Sequence, residues 1–412
     1  MTQSPVYPLA FNGRFLSAKL SGVHRVALEL VRAFDALVAE TPRLAMRFPG
    51  RVIRPPGSRD DLELRHFEVV EAGRLTGQAW EQFELNKLAG DAMLLNFGNL
   101  SPVFRSRSVT MIHDAQVFSS PQSYSLAFRS WYKFAHMIIG RRAARLLTVS
   151  EFSKEQLSRF GIGAADDIGV VYNGVDHVFK EVRDNSIVRE LDLRHGEYVL
   201  ALSNTQAHKN ISVLFEAMRS PRAPSWKLVL FGSATAEDFL ALGAPPPSNT
   251  VFAGHVTDPQ LRGLMEHAGC LAFPSRTEGF GLPPLEAMAL GCPVIASPFG
   301  ALPEVCGNDA LYADATDASA WAEAIASIAA MTDEERALKC DAARSHVRQY
   351  TWRTSAKRLL EEIESLAGQN AQCEAVEGQT THGSHCSVLG ATSVNENKLW
   401  DLSEVSRLSR SV

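Results

Sequence analysis

The sequence predicts an α/β protein made of two domains with parallel sheets. Three observations carry the prediction. Short apolar runs alternate with amphipathic stretches of helical period along most of the chain, the pattern of successive strand–helix–strand units. The alternation breaks once, at the charged and patternless residues 180–196, and then restarts, which marks a hinge. A chain of 412 residues is also too long for one small core and suits two domains of ordinary size. The expected boundaries are 1–180 and 181–350, followed by a last helix at 351–368 and a tail at 369–412.

In order, Val6–Phe11 reads as a strand and Asn12–Gly22 as a loop. Val23, Val26, Ala27, Leu30, Phe34, Leu37 and Val38 then recur at helical spacing with Arg25, Glu29, Arg32 and Asp35 between them. This amphipathic helix opens at the cap pair Ser21-Gly22. Residues 41–75, rich in Pro and Arg, read as loops and short strands, Trp80–Leu88 as a helix and Ala92–Asn96 as a strand. Ser108–Ile112 is a buried strand ending in His113-Asp114, which puts polar side chains at the carboxyl edge of the sheet, where open α/β folds keep their chemistry. Tyr124–Ala144 is a long helix, Leu146–Val149 a strand, and Ser150 opens a helix to Phe160. Ile168–Tyr172 is a strand that ends in the turn Asn173-Gly174-Val175-Asp176.

After the hinge, Tyr198–Ser203, Lys227–Phe231, Asn249–Ala253, Cys270–Phe273 and Pro293–Ala296 read as strands. Asn210–Met218, Asp258–His267, Ala318–Ala330, Thr332–Tyr350 and Thr351–Ala367 read as helices. Residues 369–412, polar and poor in apolar side chains, read as a disordered tail. No internal repeat is evident.

Composition is that of a soluble globular protein, 45% hydrophobic and 21% charged. The net charge of −5 is uneven: residues 1–180 hold 22 Lys and Arg against 17 Asp and Glu, and residues 181–412 hold 19 against 29. A mildly basic first half fits an acidic partner, a phosphorylated acceptor or an anionic membrane surface, as well as it fits ordinary solvated charge. No nucleic-acid partner is expected. The six cysteines form no CxxC pair, which argues for reduced thiols, a cytoplasmic setting and no zinc site. No secretory signal is visible, and no stretch reaches the roughly 18 apolar residues of a membrane helix.

The chemistry is concentrated in Pro274–Gly291, a loop and helix between two apolar strands. Gly279 and Gly281 let backbone N–H groups approach a ligand, and Pro283 and Pro284 suit a first helical turn. A helix start behind such a loop can hold a phosphate. Glu278 and Glu286 bracket it; carboxylates beside a phosphate site would repel the ligand unless they serve its hydroxyls. The segment therefore suggests a nucleotide-sugar site, against the plainer reading of a buried βαβ crossover.

With the E-x7-E spacing of Glu278 and Glu286, five further motifs fall in order: Ser21-Gly22-Val23, His113-Asp114, Thr148-Val149-Ser150 with Ser153-Lys154, Asn173-Gly174-Val175-Asp176, and His208-Lys209-Asn210. Across residues 6–367 the chain resembles the retaining GT-B glycosyltransferases of family GT4, glycosyltransferase group 1. The resemblance implies two Rossmann-like domains facing a central cleft, the first binding the acceptor and the second the nucleotide sugar. It implies a last helix that crosses back to the first domain. Glu286 would hold the ribose, Glu278 the donor sugar, and Lys209 the diphosphate. Gly279, Phe280, Gly281 and Leu282 would offer backbone amides, although Phe280 also fits a core position. Gly22 would let the first loop approach the diphosphate, and His113 would face a sugar hydroxyl. Arg25 and Asp114 are candidates on the acceptor side, though Arg25 also reads as an exposed helix arginine and Asp114 as a turn cap. Ser203, Asn204 and His208 complete the donor set. Asn204 and His208 stand where many members carry arginine, so the leaving-group charge falls more heavily on Lys209.

The expected reaction is a retaining, front-face transfer of a hexosyl unit, with Glu278, Lys209 and His113 as catalytic residues. No cofactor and no divalent cation are expected, since no DxD-like site is visible. GDP-mannose is the favoured donor, with UDP-glucose, UDP-GlcNAc and dTDP-rhamnose as alternatives. The acceptor is expected to be a glycan or lipid-linked glycan of bacterial polysaccharide biosynthesis, with peripheral contact at the inner membrane face. The rival readings are a nucleotide-sugar 2-epimerase and a non-catalytic glycan- or nucleotide-binding protein.

Overall fold

A computed structural model describes residues 5–17, 21–180 and 182–380, with side chains to Gly368. The described residues up to Gly368 form one compact unit. This unit contains two parallel sheets. Strands β1 (Leu9–Asn12), β2 (Gly50–Arg54), β3 (Glu68–Glu71), β4 (Met93–Asn96), β5 (Ser108–Met111), β6 (Arg145–Thr148) and β7 (Ile168–Val170) form the first, in the order β3-β2-β1-β4-β5-β6-β7. Strands β8 (Tyr198–Ser203), β9 (Lys227–Gly232), β10 (Thr250–Gly254), β11 (Cys270–Phe273), β12 (Val294–Ala296) and β13 (Leu311–Tyr312) form the second, in the order β10-β9-β8-β11-β12-β13.

Both orders reverse direction once, between β1 and β4 and between β8 and β11. Such a reversal opens a crevice at the carboxyl ends of the two strands, because their following connections leave on opposite faces. The central strands can sit there because both their faces are covered: β4, β5 and β11 are buried at every residue, the polar Asn96, Ser108 and Thr110 included. A continuous apolar core links the halves, from Phe11 and Phe34 through Leu271 and Met288 to Trp352, Leu359 and Ile363 on the last helix.

That helix, Trp352–Thr380, returns to the first sheet. Glu362 pairs with Arg145 at 2.7 Å, Glu364 with Arg47 at 2.8 Å, and the Ser355 hydroxyl donates to Tyr172 O at 2.5 Å. It runs past Ala367, where the sequence pattern ended it, so residues 369–380 of the expected disordered tail are helical in backbone; Gln, Ala and Glu there are good helix formers. The remainder of that tail, 381–412, lies outside the described residues. Several short elements escape the sequence pattern, among them helices Pro42–Arg47, Ser186–Glu190, Ala236–Ala241 and Leu302–Cys306, and the two-residue β13.

Candidate active site

The loops after β8 and β11 meet at the second switch point. The β8 loop turns through a short helical segment, Ala207–Lys209, and ends at Asn210 in the left-handed region, φ 56°. The Asn210 amide donates to Pro274 O at 3.2 Å and to Ala315 O at 2.7 Å, which ties the lysine-bearing turn to the β11 loop. Lys209 Nζ consequently lies 2.7 Å from Glu278 Oε1 and 5.6 Å above the Phe273 ring. Both side chains are largely buried, so each needs the other's charge. His208 is buried, its Nδ1 2.9 Å from Ser123 Oγ, and burial followed by the neighbouring Lys209 cation pushes its pKa down to about 4. It is therefore neutral at pH 7. The Ser203 hydroxyl donates to Ala234 O at 2.7 Å, and Asn204 Oδ1 accepts the Gln206 N–H at 2.7 Å, so both side chains serve the loop itself.

The glutamate loop is seated directly on the first sheet. A Cβ on Gly279 would lie 2.5 Å from His113 O and 2.9 Å from Asp114 Cβ, an approach that only glycine allows. Gly279 O accepts from the Ser150 hydroxyl at 2.6 Å; Ser153 Oγ lies 3.0 Å from it and 2.8 Å from His113 O. Gly300, at φ 69°, packs as closely against the Glu278 backbone. Phe280 is buried between Tyr172 and Tyr350, at ring distances of 6.3 and 6.0 Å, which makes its side chain a packing element. Gly281, at φ 105°, starts helix Leu282–Leu290. Among the described residues no acceptor faces the N–H of Phe280 or Gly281. Because Pro283 and Pro284 carry no N–H, this helix start offers fewer amide donors to an anion than four ordinary residues would.

On the first sheet, His113 is buried and its Nε2 donates to Phe97 O at 2.8 Å. Burial pushes its pKa to about 4, so the ring is neutral and Nδ1 remains an acceptor for a hydroxyl. Asp114 holds the Gln116 N–H at 2.9 Å; burial first, and Glu278 among the nearby charges, raise its pKa. Helix Gly22–Ala39 has Ser21 at its cap position without a side-chain cap bond, and among the described residues a Cβ on Gly22 would meet nothing.

Glu286 and Arg25 share a second corner. They line one cavity of about 260 Å³ with Glu29, His177, Lys180 and Asp258. Arg25, expected beside an acceptor, forms two hydrogen bonds to Asp258 at 2.5 and 2.6 Å, across the halves. Glu286 Oε1 lies 3.0 Å from His177 Nε2. A larger cavity of about 520 Å³ lies elsewhere, lined by Arg145, Lys154 and Arg358; its two arginines are both spent on Glu362. Sequence reasoning missed His177 and Glu304, and it named Asn210 and Ser153 only as motif residues without a role. Glu304 accepts the Glu151 and Phe152 N–H groups at 2.8 and 3.0 Å and the Tyr172 hydroxyl at 2.8 Å, capping a helix of the opposite half. Among the described residues no group of three or more His, Cys, Asp and Glu could hold a metal ion, and no helix is long and apolar enough to cross a membrane.

Comparison with known proteins gives this arrangement its family. The profile described as Glycosyl transferases group 1 matches residues 185–345, and that described as Glycosyltransferase Family 4 matches residues 20–179. The chain is 28% identical over 257 residues to the O-antigen chain mannosyltransferase RfbU of Salmonella typhimurium, covering 58% of this chain and 68% of that protein. It is 30% identical over 237 residues to O-antigen chain mannosyltransferase B of Escherichia coli, covering 52% and 59%. The fold resembles that of a sucrose-phosphate synthase from Thermosynechococcus elongatus, with a TM-score of 0.68 at 19% identity over 88% of this chain and all of that one. Anabaena HepE in complex with UDP and glucose matches at 0.63 and 18% identity, over 87% of this chain and all of that one. Matched in order through both halves, the chain belongs to the group 1 glycosyltransferases of family GT4, retaining enzymes of GT-B fold.

Proposed function

We propose that the protein transfers a mannosyl unit from GDP-mannose, with retention, to a hydroxyl of a glycan or lipid-linked acceptor in bacterial polysaccharide biosynthesis. The observation that carries a nucleotide-sugar donor is the Lys209–Glu278 pair at the switch point, 2.7 Å apart, with Glu286 on the helix that follows. A diphosphate takes the ammonium, and the released carboxylate accepts hydrogen bonds from the sugar and stabilises positive charge growing at its anomeric carbon. The bond from that carbon to the phosphate oxygen breaks while the acceptor oxygen bonds on the same face. The acceptor proton goes to the departing phosphate, which Lys209 holds. His113 Nδ1 accepts from a sugar hydroxyl. The mannosyl choice rests on the names of the relatives.

The acceptor side belongs to the first sheet. Helix Leu126–Arg142 presents exposed Leu126, Phe128 and Phe134 beside Arg129, Lys133, Arg141 and Arg142, and holds no acidic residue. These exposed apolar and basic side chains, with no carboxylate on the helix, suit an anionic membrane surface, where a lipid-linked acceptor would lie. The test is a thermal-shift series with GDP, UDP and dTDP, followed by incubation with the matching sugar nucleotides. GDP should raise the melting point, and GDP-mannose should be slowly hydrolysed. Stabilisation by UDP or dTDP alone would overturn the mannosyl donor, and binding without turnover would overturn the transferase.

A further inference from the structure

Glu286 does not hold its orientation by itself. Its Oε1 lies 3.0 Å from His177 Nε2, and His177 Nδ1 lies 3.1 Å from the Trp352 indole nitrogen. The three side chains come from three separate parts of the chain, and all are largely buried. We infer that His177 and Trp352 are positioning residues for the nucleotide sugar, fixing the Glu286 carboxylate with its second oxygen turned to the ligand. The inference rests on the reading of Glu286 as a donor-binding residue.

The proton positions follow from valence. An indole N–H only donates, so His177 Nδ1 must present a lone pair to Trp352. The ring proton then sits on Nε2 and donates to Glu286. The indole N–H thus selects one tautomer of the neutral ring, the one that presents Nε2–H to Glu286. One Glu286 oxygen is held, and Oε2 stays available to a hydroxyl donor.

The relay is anchored where the chain passes between the halves. His177 lies on the outgoing segment and Trp352 on the returning one. The Trp352 N–H donates to Asp176 Oδ1 at 2.8 Å, and the Val175 N–H to Tyr350 O at 3.0 Å. Gly174 leaves no room for a Cβ, which would overlap the Trp352 backbone. The carboxylate is thus oriented by the rigid junction of the two crossings as well as by its own helix. Loss of the relay frees a rotamer that ligand binding must then order.

The two amide side chains separate the roles. Glutamine at 177 puts a donor near the place of Nε2, within reach of Glu286; asparagine mimics Nδ1 and leaves Glu286 unheld. GDP and UDP are titrated calorimetrically into wild type, H177Q, H177N and E286A. We expect H177N to lose about tenfold in affinity for the nucleotide that binds, as for a lost bond to a charged group, and H177Q to recover most of it. Donor KM should follow the same order, with kcat moved less. Wild-type affinity in H177N, or equal losses in H177Q and H177N, overturns the positioning role while E286A is impaired. An unimpaired E286A overturns the donor-site reading and the relay with it. Should H177N fail to fold, W352F keeps an aromatic ring, smaller than indole, and removes the indole N–H; about threefold weaker binding is expected, and unchanged binding overturns the relay.

Discussion

Replacing Glu304 should loosen the contact between the two halves. Its carboxylate accepts three hydrogen bonds from the first half: Glu151 N–H at 2.8 Å, Phe152 N–H at 3.0 Å and the Tyr172 hydroxyl at 2.8 Å. The first two are orphan donors at the start of helix Glu151–Arg159, whose third N–H, that of Ser153, is taken by Ser150 Oγ at 3.0 Å. Each bond contributes about 0.5 to 1.5 kcal/mol net, since water replaces it on opening. The carboxylate at the helix start adds about 0.3 to 1 kcal/mol. A conservative total of about 2 kcal/mol corresponds to a thirtyfold change in the ratio of closed to open forms. E304A should therefore raise the radius of gyration measured by small-angle X-ray scattering without ligand, and saturating donor should restore it. E304Q should lose part of the effect, because one of its two terminal atoms is a donor facing a donor. An unchanged scattering profile and unchanged donor KM in E304A would refute the reasoning.

Three further outcomes follow from the geometry. G279A forces a methyl against His113 O and Asp114, so kcat/KM should fall at least about tenfold while far-UV circular dichroism stays unchanged. K209M should cost on the order of a hundredfold or more in kcat/KM and also lower the melting point, since Glu278 is left buried without its cation. His113, His136 and His208 all have pKa values lowered to about 4 by burial, whereas unfolded histidines titrate near 6.5. Their neutral folded forms bind fewer protons than the unfolded chain between those values, so stability is full above about pH 6.5 and falls as pH drops toward 4. Each contributes a slope approaching 1.4 kcal/mol per pH unit, and H208Q should flatten the denaturant-measured slope by up to that amount.

The sheets were legible because several central strands are buried on both faces and read as short apolar runs, Met93–Leu95 and Cys270–Phe273 among them. The glutamate loop was legible because its glycines and carboxylates lie within one stretch. What stayed hidden is long in range or set by burial. His177 lies 109 residues from Glu286, and Glu304 lies 153 and 152 residues from the amides it caps. Arg25 looks like a solvated helix arginine until the fold brings Asp258, 233 positions away, against it. Residue type alone left the charge of His208 open; desolvation makes it neutral. Asn210 looked like part of a motif, and only its left-handed backbone and two carbonyl partners explain why asparagine follows the lysine.

The neutrality of His208 sharpens how the loop can handle a diphosphate. Asn204 carries no charge and is folded into its own turn, so within Ser203–Lys209 the positive charge is that of Lys209. Without donor, Glu278 already occupies that cation. A diphosphate arriving beside an intact ion pair would face the carboxylate at close range, in surroundings where charges are poorly screened. Binding is strongest when the pair is exchanged, the ammonium going to phosphate and the carboxylate to sugar hydroxyls. A nucleoside diphosphate without its sugar supplies no hydroxyls at that position, so Glu278 gains no substitute partner. Removing Glu278 should then strengthen binding of GDP while abolishing turnover of GDP-mannose. E278A titrated with both ligands measures this, and weaker GDP binding in E278A than in wild type would show that Lys209 reaches the phosphate without leaving Glu278.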